Sequence, residues 1–203
     1  MIEVAIGELE RHELTFAAGV LGRAYRDTPI TIAILGDDPV RRMRGAERLV
    51  GGRVTAGEQA LVARRAGWIV GVCGMTPPGA ARRSPTAVLR MLPALLQAGP
   101  NATWKLLRMA AEWRKRGPSE RHWHLGPVGV EPALQGMAVG SQLMERFCAR
   151  MDSEREMAWL ETDKLENVRF FTRFGFAVVD ETDVVGVPNW FMRREPASGA
   201  LRT

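Results

Sequence analysis

The sequence is poor in the residues that build metal sites, disulfides and membrane spans. It has two cysteines, Cys73 and Cys148, and three histidines among 203 residues. The cysteines stand in apolar surroundings and lack the CxxC or Cys/His spacing of a zinc site or redox pair. We therefore expect buried free thiols and no metal.

Long apolar runs are missing as well. No run approaches the roughly 20 residues that a membrane-spanning helix needs, and Met1 is followed by Ile2-Glu3-Val4 rather than by a basic and then apolar signal segment. These two absences favour a cytoplasmic protein that spans no membrane.

The sequence also has no long basic run and no aromatic-basic repeat, although its formal net charge is +5 and its pI is about 10.0. A basic protein can bind nucleic acid, an acidic membrane surface or a polyanionic small molecule, and the sign of the charge does not choose among them. The arginines are scattered in pairs along the whole chain. This spread favours a solvated basic surface, so we expect no nucleic-acid partner.

The composition is that of a globular protein, with 46% hydrophobic and 25% charged residues. The length suits one core better than two. We expect a single domain over residues 1–196 and a flexible tail over residues 197–203.

Apolar residues switch along the chain between the periods of strands and helices. The predicted strands cover residues 2–6, 59–65, 68–75, 121–130, 157–162, 176–181 and 189–194. The predicted helices cover residues 10–25, 39–50, 138–151 and 165–174. Ala66-Gly67 is typical of a hairpin turn between two of the strands. Together these elements predict a mixed α/β domain.

Residues 80–118 interrupt this pattern as a helical insert, with helices predicted over 86–98 and 102–116. The first of these helices is apolar on most sides, which favours a core position. A substrate-pocket wall or the surface of a homodimer is the alternative.

The most informative segment joins a strand to a helix between Val128 and Ser141. Gly136 and Gly140 remove side chains where a ligand could approach the backbone, and the first amides of the helix have no carbonyl partners of their own. Such amides suit an anion, and a pyrophosphate would fit. The segment is neither a P-loop nor a dinucleotide fingerprint, and an ordinary strand-to-helix turn is the structural alternative.

This segment resembles the acetyl-CoA motif of GNAT acetyltransferases, Q/R-x-x-G-x-G/A, with Gln135, Ala138 and Gly140 in the key places. Ala138 stands where the family usually has glycine. Residues 160–176 resemble the second signature of the superfamily, in which a strand is followed by Asn167 on a helix and by aromatic pairs ending in Gly-Phe. The resemblance is strongest over residues 123–194. Within the superfamily this stretch is most similar to the puromycin N-acetyltransferase branch, including the late Trp190-Phe191-Met192 segment.

The resemblance implies a mixed α+β GNAT fold, with a mostly antiparallel twisted sheet splayed between strands 4 and 5, flanked by helices, and a helical insert before strand 4. It implies acetyl-CoA as cofactor and direct transfer of the acetyl group to a primary amine of a small-molecule acceptor, without a covalent enzyme intermediate. The implied cofactor-binding residues are Val128, Gly129, Val130, Gln135, Gly136, Met137, Ala138, Val139, Gly140, Ser141, Asn167, Phe170 and Phe171.

Pro127 lies inside the predicted fourth strand, where it cannot donate a ladder hydrogen bond. It predicts a bulge, or a loss of pairing on one side of the strand. In GNAT proteins such a splay admits the pantetheine arm, whose amides would pair here with the backbone of Val128 and Val130. A simple edge strand is the alternative.

An amine acceptor must lose a proton before it attacks, so a base or a water relay is needed. His122 and His124 are candidates because they lie two apart on one face of the predicted strand, and imidazole is the side chain that titrates nearest neutrality. Glu161 on the neighbouring strand is a third candidate. Packing roles for the histidines and an ion pair for Glu161 are the alternatives.

Phe171 is the main departure from the family, because many relatives carry at this place a tyrosine that can protonate the departing thiolate. The only tyrosine, Tyr25, belongs to a predicted helix that we expect to be remote from the site. An enzyme without this acid remains the preferred hypothesis. A non-catalytic acyl-CoA sensor or regulatory module with the same fold is the alternative.

Overall fold

The computed structural model describes residues 2–55, 59–79 and 97–197, in which one seven-stranded sheet is flanked by helices. The strands are β1 (Ala5–Glu8), β2 (Gln59–Arg65), β3 (Trp68–Thr76), β4 (His122–Val130), β5 (Met157–Thr162), β6 (Ala177–Val184) and β7 (Val187–Arg194). The helices are α1 (Leu14–Tyr25), α2 (Pro29–Leu35), α3 (Pro39–Leu49), α4 (Gly51–Thr55), α5 (Pro100–Arg116), α6 (Val139–Glu154) and α7 (Leu165–Thr172). Two short 3₁₀ turns cover Arg11–Glu13 and Pro132–Leu134.

The strands follow one another in the order β1-β2-β3-β4-β5-β7-β6. All neighbours are antiparallel except β4 and β5. The predicted hairpin between β2 and β3 is confirmed, with Ala66 and Gly67 both at positive φ. This arrangement confirms the mostly antiparallel sheet that the resemblance implies.

Strand β4 separates from β5 after only three paired positions. His122, Trp123 and His124 pair with residues of β5, and no later residue of β4 does so. On its other side β4 pairs with β3 as far as Val130, with a register shift opposite Gly126 and Pro127. The predicted bulge and splay are therefore both present, because Pro127 has no N–H to donate.

The two faces of the sheet are covered by different helices. Helix α6 packs on one face through Leu143, Phe147 and Met151, which share a core with Trp123 and Leu160. On the opposite face α1 forms a separate buried cluster with β2 and β3. The sheet thus has a packed helix on each side of the gap.

Helix α1 approaches β4 closely because Gly129 has no side chain. A Cβ atom on Gly129 would lie 3.0 Å from both Ala24 Cβ and Leu21 Cδ2. This close contact brings the last residue of α1, Tyr25, to the gap beside β4. Our expectation that Tyr25 is remote from the site is therefore wrong.

A third buried cluster joins α2, α3 and α5 through Ile34, Leu35, Leu49 and Ala102. The second predicted insert helix is observed as α5. The strands predicted to begin at Arg121 and Phe176 begin one residue later, and most other predicted boundaries also differ by only a few residues. The first predicted insert helix and the tail fall largely outside the described residues. None of the helices in the described ranges has the length and apolar character needed to cross a membrane.

The close packing at the bulge yields a stability prediction. A Cβ on Gly74 would lie 2.7 Å from Pro127 Cδ and 3.1 Å from the carbonyl oxygen of Gly126. Because backbone atoms cannot give way cheaply, Gly74→Ala should lower the free energy of unfolding by about 1–3 kcal/mol. Urea titration followed by tryptophan fluorescence measures this change.

Gly52→Ala is the matched control. A Cβ on Gly52 would meet no atom of the described residues within 4 Å, and the position is helical. Alanine there should be neutral or stabilising by up to about 1 kcal/mol. Equal stabilities of the two variants would show that the bulge is not tightly packed against β3.

Candidate active site

A cavity of about 720 Å³ follows the gap between β4 and β5. At one end it is lined by the loop after β4 and by α7. Its middle is lined by the separated edges of β4 and β5 and by the end of α1. At the other end it continues between α2, α3 and α5. One space therefore connects the glycine loop with a chamber beneath the early helices.

The glycine loop is held in place by backbone and side-chain hydrogen bonds. After the 3₁₀ turn, Gln135 Nε2 donates to the carbonyl oxygen of Val130 at 3.2 Å. Gly136 and Ala138 both have positive φ, 78° and 65°, and α6 begins at the next residue. Alanine in this left-handed region costs roughly 1–2 kcal/mol relative to glycine, which gives a physical reason for the glycine found in relatives.

The amides at the start of α6 have no internal partners. No described residue accepts a hydrogen bond from the N–H of Gly136, Ala138, Val139, Gly140 or Ser141. The first amide with a partner is that of Gln142, which donates to Ala138 O at 3.1 Å. Five N–H groups thus gather at the positive end of a 16-residue helix. This is the arrangement that binds an anionic group.

The loop is also open, since a Cβ on Gly136 would meet no described atom within 4 Å. Gly140 lies beside α7, where its own Cβ would be 3.4 Å from Phe170 Cζ. The loop is therefore blocked neither by its own side chains nor by internal hydrogen bonds. Its amides and its glycines fit a diphosphate group.

The structure brings most of the predicted cofactor residues to the cavity wall. They are Val128, Gly129, Val130, Gln135, Gly136, Ala138, Gly140, Ser141, Asn167, Phe170 and Phe171. Met137 and Val139 are not among the lining residues. The Met137 side chain is 42% exposed, and that of Val139 is buried against the sheet at Gly71.

The residues from α7 differ in what they contribute. Asn167 Nδ2 donates to Thr162 Oγ1 at 3.0 Å, which ties the helix to the end of β5. Phe171 packs edge-on against Phe170 and Phe176, with ring centroids 5.3 and 5.9 Å apart. Only 7% of Phe171 is exposed, so its ring packs in the core as well as lining the cavity.

His124 and Glu161 meet across the gap. The Nε2 atom of His124 lies 2.7 Å from Oε2 of Glu161, and the other carboxylate oxygen accepts a hydrogen bond from Trp159 Nε1 at 2.8 Å. On the opposite side of the ring, Arg53 lies 3.2 Å from Nδ1. Since a guanidinium group only donates, Nδ1 must accept and Nε2 must carry the proton. The two partners therefore select one tautomer of His124.

The Glu161 carboxylate is held in its ionised form. Burial alone would raise the pKa of Glu161, but the interaction with His124, the hydrogen bond from Trp159 and the charge of Arg53 outweigh it. The pKa of Glu161 is therefore below its ordinary value. Glu161 is a poor proton acceptor at neutral pH and a good orienting partner for the imidazole.

His122 is placed apart from this pair. It lies on the same face of β4 as His124, but its Nδ1 is 2.8 Å from the carbonyl oxygen of Glu120 and the side chain does not line the cavity. Of the three predicted bases, the structure thus brings together only His124 and Glu161.

Tyr25 is the site residue that the sequence did not reveal. Its hydroxyl oxygen accepts a hydrogen bond from the N–H of Val128 at 3.1 Å, in the gap beside β4. Burial raises the pKa of Tyr25 to about 12, despite the opposing hydrogen bond from Val128. The phenol is thus neutral and keeps its proton. The four-residue spacing from Leu21 was the available signal that Tyr25 lies on the buried face of α1.

Asp163 closes the wall at the end of β5. Its Oδ2 accepts a hydrogen bond from the N–H of Ile30 at 2.7 Å, which attaches the start of α2 to the site. Burial raises the pKa of Asp163 above its ordinary value. Among the described residues, no three acidic, histidine or cysteine side chains come together as a metal-binding group.

Comparison with known proteins places this geometry in a family. The acetyltransferase (GNAT) family model matches residues 43–176. The chain is also similar to a solved structure from Corynebacterium glutamicum described as histone acetyltransferase HPA2 and related acetyltransferase, with 19% identity and a TM-score of 0.72, over 98% of this chain and 100% of that one.

Two further solved structures share the fold. One is the Drosophila melanogaster polyamine N-acetyltransferase, which forms N-acetylagmatine, with 14% identity and a TM-score of 0.61 over 95% of this chain and 100% of that one. The other is the Thermoplasma acidophilum PaiA N-acetyltransferase in complex with coenzyme A, with 12% identity and a TM-score of 0.59 over 96% and 99%. At these identities the likeness concerns the fold alone.

The family match extends from α3 to the residue before β6 and so includes the splayed strands, the loop with its free amides and the His124–Glu161 pair. The chain belongs to the acetyltransferase (GNAT) family, whose members take their acetyl group from acetyl-CoA.

Proposed function

We propose that this protein transfers the acetyl group of acetyl-CoA to the primary amine of a small molecule, by direct attack while both are bound. The observation that carries the proposal is that the anion-binding amides of α6 and the His124–Glu161 pair open into one cavity. An acyl donor bound at the amides of α6 and an amine bound beside the His124–Glu161 pair would meet in the gap between β4 and β5.

The cofactor would be held mainly by backbone groups. The amides of Gly136 and of residues 138–141 would bind its diphosphate, and Asn167 would lie along its arm. When bound, acetyl-CoA supplies a thioester whose carbonyl carbon an amine can attack. At Val128 the backbone N–H is already bonded to Tyr25, so the tyrosine hydroxyl rather than a free amide faces the arm at that position.

His124 would act as the base through Nδ1. Glu161 accepts the Nε2–H hydrogen bond and so keeps the lone pair on Nδ1, as the tautomer argument requires. We propose that the N–H of the incoming amine replaces Arg53 as the donor to Nδ1. The proton then passes to that nitrogen, and the carboxylate of Glu161 stabilises the resulting imidazolium.

Tyr25 would supply the proton that Phe171 cannot. The Tyr25 hydroxyl keeps its proton in the gap, and the Val128 N–H bonded to its oxygen makes that proton a better hydrogen-bond donor. We propose that Tyr25 Oη gives its proton to the sulfur as the C–S bond breaks, and that the phenolate oxygen then takes up the second proton, which the amine nitrogen loses as the amide forms. A residue of α1 would thereby perform the task that relatives assign to a tyrosine of the later helix.

The puromycin N-acetyltransferase branch is the proposed relationship within the family. Its support is the Trp190-Phe191-Met192 segment, which forms the middle of β7. The ring of Phe191 lies 6.2 Å from that of Trp159, the residue that donates to Glu161. The segment that carries this resemblance therefore adjoins the proposed base.

The direct test combines two measurements. Calorimetric titration should show coenzyme A binding, and a thiol-release assay with acetyl-CoA should show turnover with at least one primary amine. Binding without turnover across a broad amine panel would overturn the enzymatic proposal and favour an acyl-CoA sensor. Absence of binding would overturn both.

Ser141 tests the anion-binding amides by charge alone. Ser141→Asp places a carboxylate in the first turn of α6, where it should stabilise the helix by about 0.3–1 kcal/mol. The same charge should repel the diphosphate and weaken coenzyme A binding at least about tenfold, since tenfold corresponds to about 1.4 kcal/mol. Ser141→Asn has similar size without the charge and should bind within about threefold of the native protein. Equal affinities of the two variants would place the diphosphate elsewhere.

Glu161 tests the tautomer argument. In Glu161→Gln the amide can donate to His124 Nε2, which favours the tautomer whose Nδ1 carries a proton. The value of kcat should fall by about 10²–10⁴-fold, while the affinity for coenzyme A stays unchanged. Glu156→Gln, which removes a half-buried carboxylate that pairs with Arg121 and does not line the cavity, should keep full activity. Near-native kcat in Glu161→Gln would dismiss the pair as the base.

Tyr25 can be observed directly because it is the only tyrosine. Since burial raises its pKa to about 12, the folded protein should show almost no phenolate absorbance at pH 10.5, with Tyr25→Phe as the blank. The same variant should lower kcat by about 10²-fold with little change in coenzyme A affinity. Half-ionisation near pH 10 would show that the phenol is not buried as described, and unchanged kcat in Tyr25→Phe would remove Tyr25 as the proton donor.

A further inference from the structure

The chamber beyond the base points to the chemical class of the acceptor. We infer that the acceptor is a primary amine with a single positive charge on an apolar body, such as an arylalkylamine, and not a polyamine. This inference rests on the proposed function and names the substrate of the same site.

The chamber wall is apolar over most of its described surface. It is formed by α2, α3 and α5 through Ile30, Ile34, Leu49, Leu106, Met109 and Trp113. Trp113 donates its indole N–H to Asn189 Oδ1 at 3.2 Å and so has no further N–H to offer a ligand. What it contributes to the chamber is ring surface. An apolar or aromatic group on the acceptor would bury against this wall.

The carboxylates beside the chamber are already committed to other partners. Both oxygens of Glu161 accept hydrogen bonds, from His124 and from Trp159. Asp163 accepts from the N–H of Ile30, and its burial disfavours the charged form. A third carboxylate of the cavity wall, Glu166, lies on α7 at the end with the glycine loop, and in the described part of the wall α2, α3 and α5 contribute no carboxylate to the chamber.

Two charged side chains stand at the entrance to the chamber, Arg53 and the ionised Glu161, on opposite sides of the His124 ring. Arg53 lines the cavity and lies 3.2 Å from His124 Nδ1, where the amine must arrive. An acceptor with one ammonium group loses that charge when it gives its proton to His124. A polyamine or a guanidinium-bearing amine would retain a second cation against the apolar wall of the chamber, which is costly without a counter-ion there.

Relative turnover gives the first readout. The measurement compares kcat/KM for 2-phenylethylamine and hexylamine with kcat/KM for agmatine and spermidine, at saturating acetyl-CoA. The apolar amines should be preferred at least about tenfold, a difference of about 1.4 kcal/mol. Equal or higher kcat/KM for agmatine or spermidine would overturn the inference and leave the proposed function standing.

Binding gives a second readout that does not need the reaction. Calorimetric titration of the coenzyme A complex with each amine should give a lower Kd for 2-phenylethylamine than for agmatine. If that order holds while no amine is acetylated, the acceptor class is supported and the proposed function fails. If agmatine binds as tightly, or neither amine binds, the inference is wrong.

A charge placed in the chamber should reverse the preference. Met109→Glu adds the missing carboxylate and should raise the ratio of kcat/KM for agmatine to that for 2-phenylethylamine at least about tenfold. Met109→Gln has the same shape without the charge and should leave agmatine no better a substrate. Leu107→Glu adds the same charge to the outer face of α5, where the native side chain is 60% exposed, and should leave the ratio unchanged.

Coenzyme A affinity and thermal unfolding show whether each variant is folded. If Met109→Glu does not fold, the binding order in the native protein still decides the question. A folded Met109→Glu protein with the native preference would place the acceptor outside this chamber.

Discussion

The loss of pairing between β4 and β5 after His124 is the constraint on which the rest of the site depends. Pro127 has no N–H to donate, and Gly74 leaves room for its ring on the neighbouring strand. The backbone groups beyond the bulge therefore face a cavity instead of another strand. Tyr25 and Gln135 use two of these groups, and the remaining space can admit a ligand. The interruption thus converts an interior strand into one wall of a binding site.

The same interruption determines where the base lies. His124 is the last residue of β4 that pairs with β5, opposite Trp159. Glu161 is two residues further along β5 and so lies on the same face as Trp159, whose indole N–H holds one carboxylate oxygen. The pair therefore stands at the point where the strands begin to diverge. His122, two residues earlier, lies where the sheet is still closed, and this explains why an identical side chain on the same face does not reach the cavity.

The parts of the site that depend on neighbouring residues in the chain were predictable from the sequence. The missing donor of Pro127 and the glycines before α6 act within a few residues, so their consequences can be inferred from spacing. Tyr25 could not be placed in this way, because its contact with Val128 joins residues 103 positions apart. Helices α2 and α4 were missed because seven and five residues carry too little periodic signal. Strand β1 begins later than predicted because its register is set by pairing with β2.

Backbone strain and unsatisfied amides coincide at the start of α6, where a ligand would offset their cost. Ala138 occupies the left-handed region, and its amide is one of five at this place that have no acceptor among the described residues. A capping side chain at the start of α6 would stabilise the helix by about 1 kcal/mol, and Ala138 provides none. Backbone strain and uncapped donors at one site are typical of binding loops. A bound anion would accept hydrogen bonds from these open donors and would thereby offset both costs.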